Sequence, residues 1–84
     1  MKMFSSLITQ RRIAKGFSMS FAAKKLGCSK QFLFKLEHNE CRVPVKRLKK
    51  IINVFEIDKD ELLFCIKADY DEYLKDVLSN KGDA

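Results

Sequence analysis

Tryptophan is absent from the 84 residues, and the chain has only one proline, three glycines and one histidine. So few helix breakers leave room for short connections only, not long flexible linkers. No apolar run approaches the roughly 18 residues of a membrane helix. The N-terminal MKMFSSLITQRR has no continuous apolar h-region of the kind a signal peptide carries. The expectation is a cytoplasmic protein with no membrane partner. Three cysteines, Cys28, Cys41 and Cys65, are odd in number and irregular in spacing, so no disulfide framework is indicated. Cys28, His38 and Cys41 match no zinc spacing and lack a fourth ligand. Phosphate-cradling glycine loops, metalloprotease motifs and nucleophile elbows are missing as well. A catalytic reading has nothing to build on, and neither a cofactor nor a small-molecule ligand is expected.

What is present is a basic excess with a strong polarity along the chain. The net charge is +6, divided into +11 over residues 1–50 and −5 over residues 51–84. Localised positive charge is the electrostatic footprint of a phosphate-backbone partner. Eighty-four residues suit one domain with a modest core, and 46% apolar content suffices to build it.

The basic part contains SMSFAAKKLGCSKQFLFKLE, residues 18–37. Ser18 is an N-cap residue type, and Ala22, Ala23 and Leu26 share one face of a helix over residues 19–26. Gly27 stops that helix, because glycine takes the left-handed conformation of a tight turn without steric cost. Ser29 is set to cap a second helix, residues 30–38, whose Leu33 and Leu36 point inward and which His38 ends. Ala23 is small enough for the two helices to cross closely. The combination of Ala23, Gly27, Leu33 and Leu36 resembles the helix-turn-helix of the lambdoid phage repressor and Cro class, the XRE family. Cys28 stands where that family usually has an aliphatic core residue, so the resemblance implies that it is buried as a small hydrophobe.

Around this pair, Phe4, Leu7, Ile8 and Ile13 predict a first helix over about residues 5–15, ended by Gly16, with Phe17 anchoring the turn. After the polar HNECRV, Pro44 suits the start of a fourth helix, where its missing N–H costs nothing. Val45, Leu48, Ile51, Ile52 and Phe55 form its apolar stripe, with Lys46, Arg47, Lys49 and Lys50 opposite. Asp58 and Glu61 have capping-box spacing and open a fifth helix with Leu62, Leu63 and Ile66 inward. Asp69 and Glu72 repeat that spacing at the head of a sixth amphipathic segment, residues 69–80, with an apolar stripe of Tyr70, Tyr73, Leu74, Val77 and Leu78. The terminal KGDA is expected to fray. The fold expected is therefore all-α: a compact five-helix repressor-like domain over residues 1–67, then an additional C-terminal helix and tail over 68–84. That helix either dimerises or packs on its own chain.

The resemblance covers roughly residues 4–66, including RRIAKG at the end of the first helix and IDKDELL near the domain's end. It implies a pair between Arg12 and Glu37, for which a guanidinium fork on a carboxylate is well suited. It also implies binding of double-stranded DNA, with residues 30–38 in the major groove. Lys30, Gln31, Phe34 and Lys35 flank the buried leucines and are the expected base readers. A glutamine amide can grip adenine, lysines can donate to guanine or phosphate, and Phe34 can touch a thymine methyl. Arg12, Ser29, Asn39, Arg42 and Lys46 are the expected phosphate contacts. Met19 stands where the family often has a glutamine that holds a phosphate, so that side-chain bond is lost. The function implied is a transcriptional repressor or autoregulator acting as a homodimer on an inverted-repeat operator. The alternative is a protein-interaction module of the same fold, anchored by exposed Phe32 and Phe34.

Overall fold

The computed structural model describes residues 2–79, which fold into five helices with no strand among the described residues. They are α1 (Lys2–Ala14), α2 (Met19–Leu26), α3 (Lys30–Glu37), α4 (Val45–Phe55) and α5 (Lys59–Ser79). The all-α architecture is the expected one.

The local signals around the central helix pair act as their chemistry dictates. Ser18 is extended and its hydroxyl accepts from the Phe21 N–H at 3.1 Å. Gly27 sits at φ 71° in the left-handed region and ends α2, its N–H donating to the Lys24 carbonyl. Two residues on, the Ser29 hydroxyl accepts from the Phe32 N–H at 3.0 Å and starts α3. Two capped ends around a single left-handed glycine fix the angle between α2 and α3. Ala22 and Ala23 are buried at the crossing, and Leu33 and Leu36 plug α3 into the core. Phe4 and Ile8 of α1, Ile51 and Phe55 of α4, and Leu62 and Cys65 of α5 complete it. Phe17 packs its ring 5.0 Å from Phe21 and 6.4 Å from Phe55, anchoring the turn between α1 and α2.

Polar contacts make α1 the strut of the fold. The Ser5 hydroxyl donates to the Leu36 carbonyl at 2.6 Å, satisfying an oxygen in the last turn of α3. Arg11 pairs with Glu61 of α5. Glu61 is thus drawn to α1 and does not close the expected capping box, and Asp58 alone caps the start of α5 by accepting from the Asp60 N–H at 2.8 Å.

The C-terminal organisation differs from expectation. The fifth and sixth helices are one, and α5 passes without a break through the expected boundary between residues 67 and 68. Asp69 is a capping residue, but for a different helix. Its two carboxylate oxygens accept from the Met3 and Phe4 N–H groups, at 2.8 and 2.9 Å, at the N-terminus of α1. It is 5% exposed although it is an aspartate. A carboxylate at a helix N-terminus satisfies orphan donors and complements the helix dipole. This cap also explains why α1 begins at Lys2 rather than near residue 5.

Three residues expected inside are exposed: Ile13, Val45 and Leu63. Each lies at the edge of a stripe wider than the surface its neighbours cover. The chain's own helices leave the stripe of Tyr70, Tyr73, Leu74, Val77 and Leu78 uncovered as well. Asn39 and Glu56 adopt left-handed backbone at φ 59° and 52°, the latter as the C-cap of α4. The expected frayed end, residues 81–84, lies outside the described residues.

Replacing Asp69 by alanine removes the cap of α1 and its tie to α5. The expected loss is about 1–2 kcal/mol, a fall in Tm of roughly 5–15 °C for a domain of this size. Thermal unfolding followed by circular dichroism measures it. An unchanged Tm would mean that water caps α1 equally well.

Candidate nucleic-acid interface

With α3 anchored through Leu33 and Leu36, its helical period decides what faces outward. Lys30, Gln31, Phe34 and Lys35, the expected base readers, are all exposed on the side away from the core, joined by His38 at the C-cap. Among the described residues, no salt bridge or side-chain hydrogen bond ties down Lys30, Gln31 or Lys35. Two ammonium groups and an amide are therefore presented to solvent from one helix face. Phe34 is 46% exposed, and its ring stacks on His38 with centroids 3.8 Å apart. Phe32 is not the exposed anchor that a protein-binding reading requires. It is half-buried against the core, with the Arg47 guanidinium 5.2 Å from its ring centroid.

A clamp holds the back of the helix. Arg12 donates from Nε to Glu37 Oε2 at 2.7 Å and from Nη2 to Glu37 Oε1 at 3.1 Å, a bidentate fork. Nη1 reaches the Phe17 carbonyl at 3.0 Å, and the Thr9 hydroxyl adds a bond to Glu37 Oε1. The pair implied by the resemblance is present. The same geometry sets Arg12 apart from the other expected phosphate contacts, since its side chain is 15% exposed and three of its N–H groups donate within the protein.

The remaining expected phosphate contacts are spread over the surface. Ser29 is exposed, with its hydroxyl accepting the α3 cap bond, and Lys46 is exposed at the start of α4. Asn39 and Arg42 line a groove against α5, where the Arg42 guanidinium lies 4.8 Å from the Tyr73 ring centroid. Arg42 is therefore turned toward the acidic helix. A second groove, between α2 and α4, gathers Lys25, Lys46, Lys49 and Lys50, with Lys15 paired to Glu56 at its edge. The sequence places Lys46, Lys49 and Lys50 on the basic face of α4, but their meeting with Lys25 depends on how α4 crosses α2.

Cys41 lines the groove with Asn39 and Arg42, while Cys28 and Cys65 pack with the core. Burial pushes the Cys28 thiol upward against the opposing pull of Arg47. Cys65 is raised by burial and then by the neighbouring charges of Asp69 and Glu61. Both thiols stay protonated at neutral pH and act as packing groups. No helix among the described residues is long and apolar enough to cross a membrane.

The exposed face of α3, the capped turn before it and the basic surface around it suit a phosphate-backbone partner. Comparison with curated proteins and with solved structures finds no match in either set. A family model described as Helix-turn-helix matches residues 8–62, more than half of the chain. The chain belongs to the XRE-type helix-turn-helix family of DNA-binding regulators.

Proposed function

We propose that this protein is a sequence-specific transcriptional repressor or autoregulator that reads an operator in the major groove with α3. The observation carrying the reading is the outward face of that helix. Among the described residues Lys30, Gln31 and Lys35 make no side-chain hydrogen bond or salt bridge, while Leu33, Leu36 and the Glu37 clamp hold the opposite face rigid. The backbone of a helix so anchored is already ordered, so binding has only the exposed side chains left to fix. Gln31 lies at the centre of the outward face, opposite the buried leucines, where its amide can make the bidentate pair with adenine N6 and N7. Lys30 and Lys35 on either side suit guanine or phosphate, and Ser29, Asn39 and Lys46 suit the backbone.

Gln31→Ala is expected to cost about 1–3 kcal/mol on the preferred duplex and to relax discrimination at one position of each half-site. Binding to random duplex should hardly change. Anisotropy titrations on both duplexes make the comparison. Equal losses on the two would make Gln31 a backbone contact and pass base reading to Lys30 and Lys35.

One recognition helix spans only a few base pairs, so two copies on an inverted repeat supply the specificity a regulator needs. Half-sites about 34 Å apart put both helices on one face of the duplex. The interface we assign is the uncovered stripe of Tyr70, Tyr73, Leu74, Val77 and Leu78 on α5. Its companions Asp71, Glu72 and Asp76 repel phosphate, which suits a surface turned from DNA. A Leu74→Glu, Val77→Glu double variant should stay folded, because both side chains are exposed. It should sediment as a monomer and lose cooperative operator binding. A dimer that survives this change is held by another surface.

A further inference from the structure

Phe34 breaks the chemistry of its surroundings. Lys30, Gln31 and Lys35 share its face of α3, yet at that position the face carries an aromatic ring, nearly half of it in water. Two contacts from one residue fix that ring's surroundings. The His38 imidazole stacks on it at 3.8 Å with planes 20° apart, and His38 Nδ1 lies 2.8 Å from the Phe34 carbonyl oxygen. A carbonyl only accepts, so Nδ1 carries the proton, and the imidazole is bonded to the backbone of the residue on which it stacks. The His38 N–H donates to the same oxygen at 3.0 Å. The stack restrains the Phe34 ring before any ligand arrives and covers one of its faces, leaving the rest of the ring available.

In a major groove the apolar feature at a base edge is the C5 methyl of thymine, and cytosine gains the same group only when methylated. Resting on the DNA-reading role proposed above for α3, we propose that the Phe34–His38 stack recognises a pyrimidine C5 methyl group. Phe34 supplies the contact and His38 acts as its positioning residue. Lys30 and Lys35 flank the ring with positive charge, so the duplex that brings the methyl group also satisfies its neighbours. Helix α3 thereby distinguishes methylated from unmethylated C5 at one pyrimidine of each half-site.

The test begins with the preferred duplex, selected from a random pool with the full chain. Each thymine is then replaced singly by uracil, which removes the methyl group and leaves the base-pairing edge intact. One thymine per half-site should weaken binding by about fourfold on replacement, the worth of one buried methyl. At that position, 5-methylcytosine should bind about fourfold tighter than cytosine, which separates the methyl group from the remainder of the thymine base. Phe34→Ala should bind the thymine and uracil duplexes equally, Phe34→Leu should keep part of the difference, and His38→Ala should reduce it to about twofold. Equal binding of every thymine and uracil pair by the unaltered protein overturns the inference while leaving specific DNA binding intact. So does a thymine preference that survives in Phe34→Ala, or a Phe34→Ala change that alters the oligomeric state alone. Failure to select any sequence over random DNA overturns the proposed function and this inference with it.

Discussion

Replacing Arg12 by alanine lowers the stability of the domain by about 3–5 kcal/mol, the cost of leaving a buried carboxylate without its partner. A domain of this size is held together by roughly 5–12 kcal/mol in all, so a substantial part of the population unfolds at moderate temperature. The magnitude follows from the geometry around Glu37, whose side chain is 2% exposed against 15% for Arg12. Without the guanidinium, the Thr9 hydroxyl is the remaining hydrogen-bond donor to that carboxylate among the described residues. One hydroxyl cannot replace two charge-assisted bonds. The Phe17 carbonyl loses its Arg12 donor too, which loosens the turn into α2. Arg12→Lys should fall between, keeping the charge and losing the fork. In a double-mutant cycle, Arg12→Ala with Glu37→Ala should cost far less than the sum of the singles, because removing both partners strands neither. Chemical denaturation of the four proteins gives the cycle, and additive losses would show that the two residues do not interact.

The parts of this structure readable from sequence are those decided by neighbours in the chain. Ser18, Gly27 and Ser29 act within three or four residues of themselves, so their spacing to the apolar positions was enough to place α2 and α3. Leu33 and Leu36 were placed by period alone. Arg12 and Glu37 lie 25 residues apart, and their pairing was legible only through resemblance. The third Arg12 bond, to the Phe17 carbonyl, was not legible even so, and it draws inward a guanidinium also expected at phosphate.

Where the outcome depends on distant packing, local chemistry gives a residue's role but not its partner. Asp69 is indeed a helix cap, but the N–H groups it caps lie 65 and 66 residues earlier. Nothing nearby distinguishes a carboxylate that starts its own helix from one in the middle of a helix reaching another. Glu61 shows the same ambiguity, having Arg11 as a competing partner. Ile13, Val45 and Leu63 fell to a related problem. Periodicity gives the direction of a side chain, whereas burial requires a neighbour at that point. In a small domain the neighbours run out before the apolar stripe does. Asn39 and Glu56 gave no glycine signal for their left-handed backbone. The outward face of α3 was legible because it is the complement of a face already fixed.

The second large effect is electrostatic. Lys30 and Lys35 on α3, together with Lys25, Lys46, Lys49 and Lys50 in the groove between α2 and α4, are exposed and carry no salt bridge among the described residues. Neutralising about six phosphates gives a slope near −5 in a plot of log affinity against log salt. Between 50 and 200 mM salt, affinity should therefore fall roughly 10³-fold. Lys46→Ala should flatten the slope by about one and weaken all sequences alike. Specific DNA binding by this basic surface is tested most directly by titrating the selected duplex and a scrambled one in parallel across that salt range. Two steep lines of similar slope are expected, the selected duplex displaced toward tighter binding by about 10³-fold or more. A flat response, or two lines that coincide, would contradict specific binding by this surface.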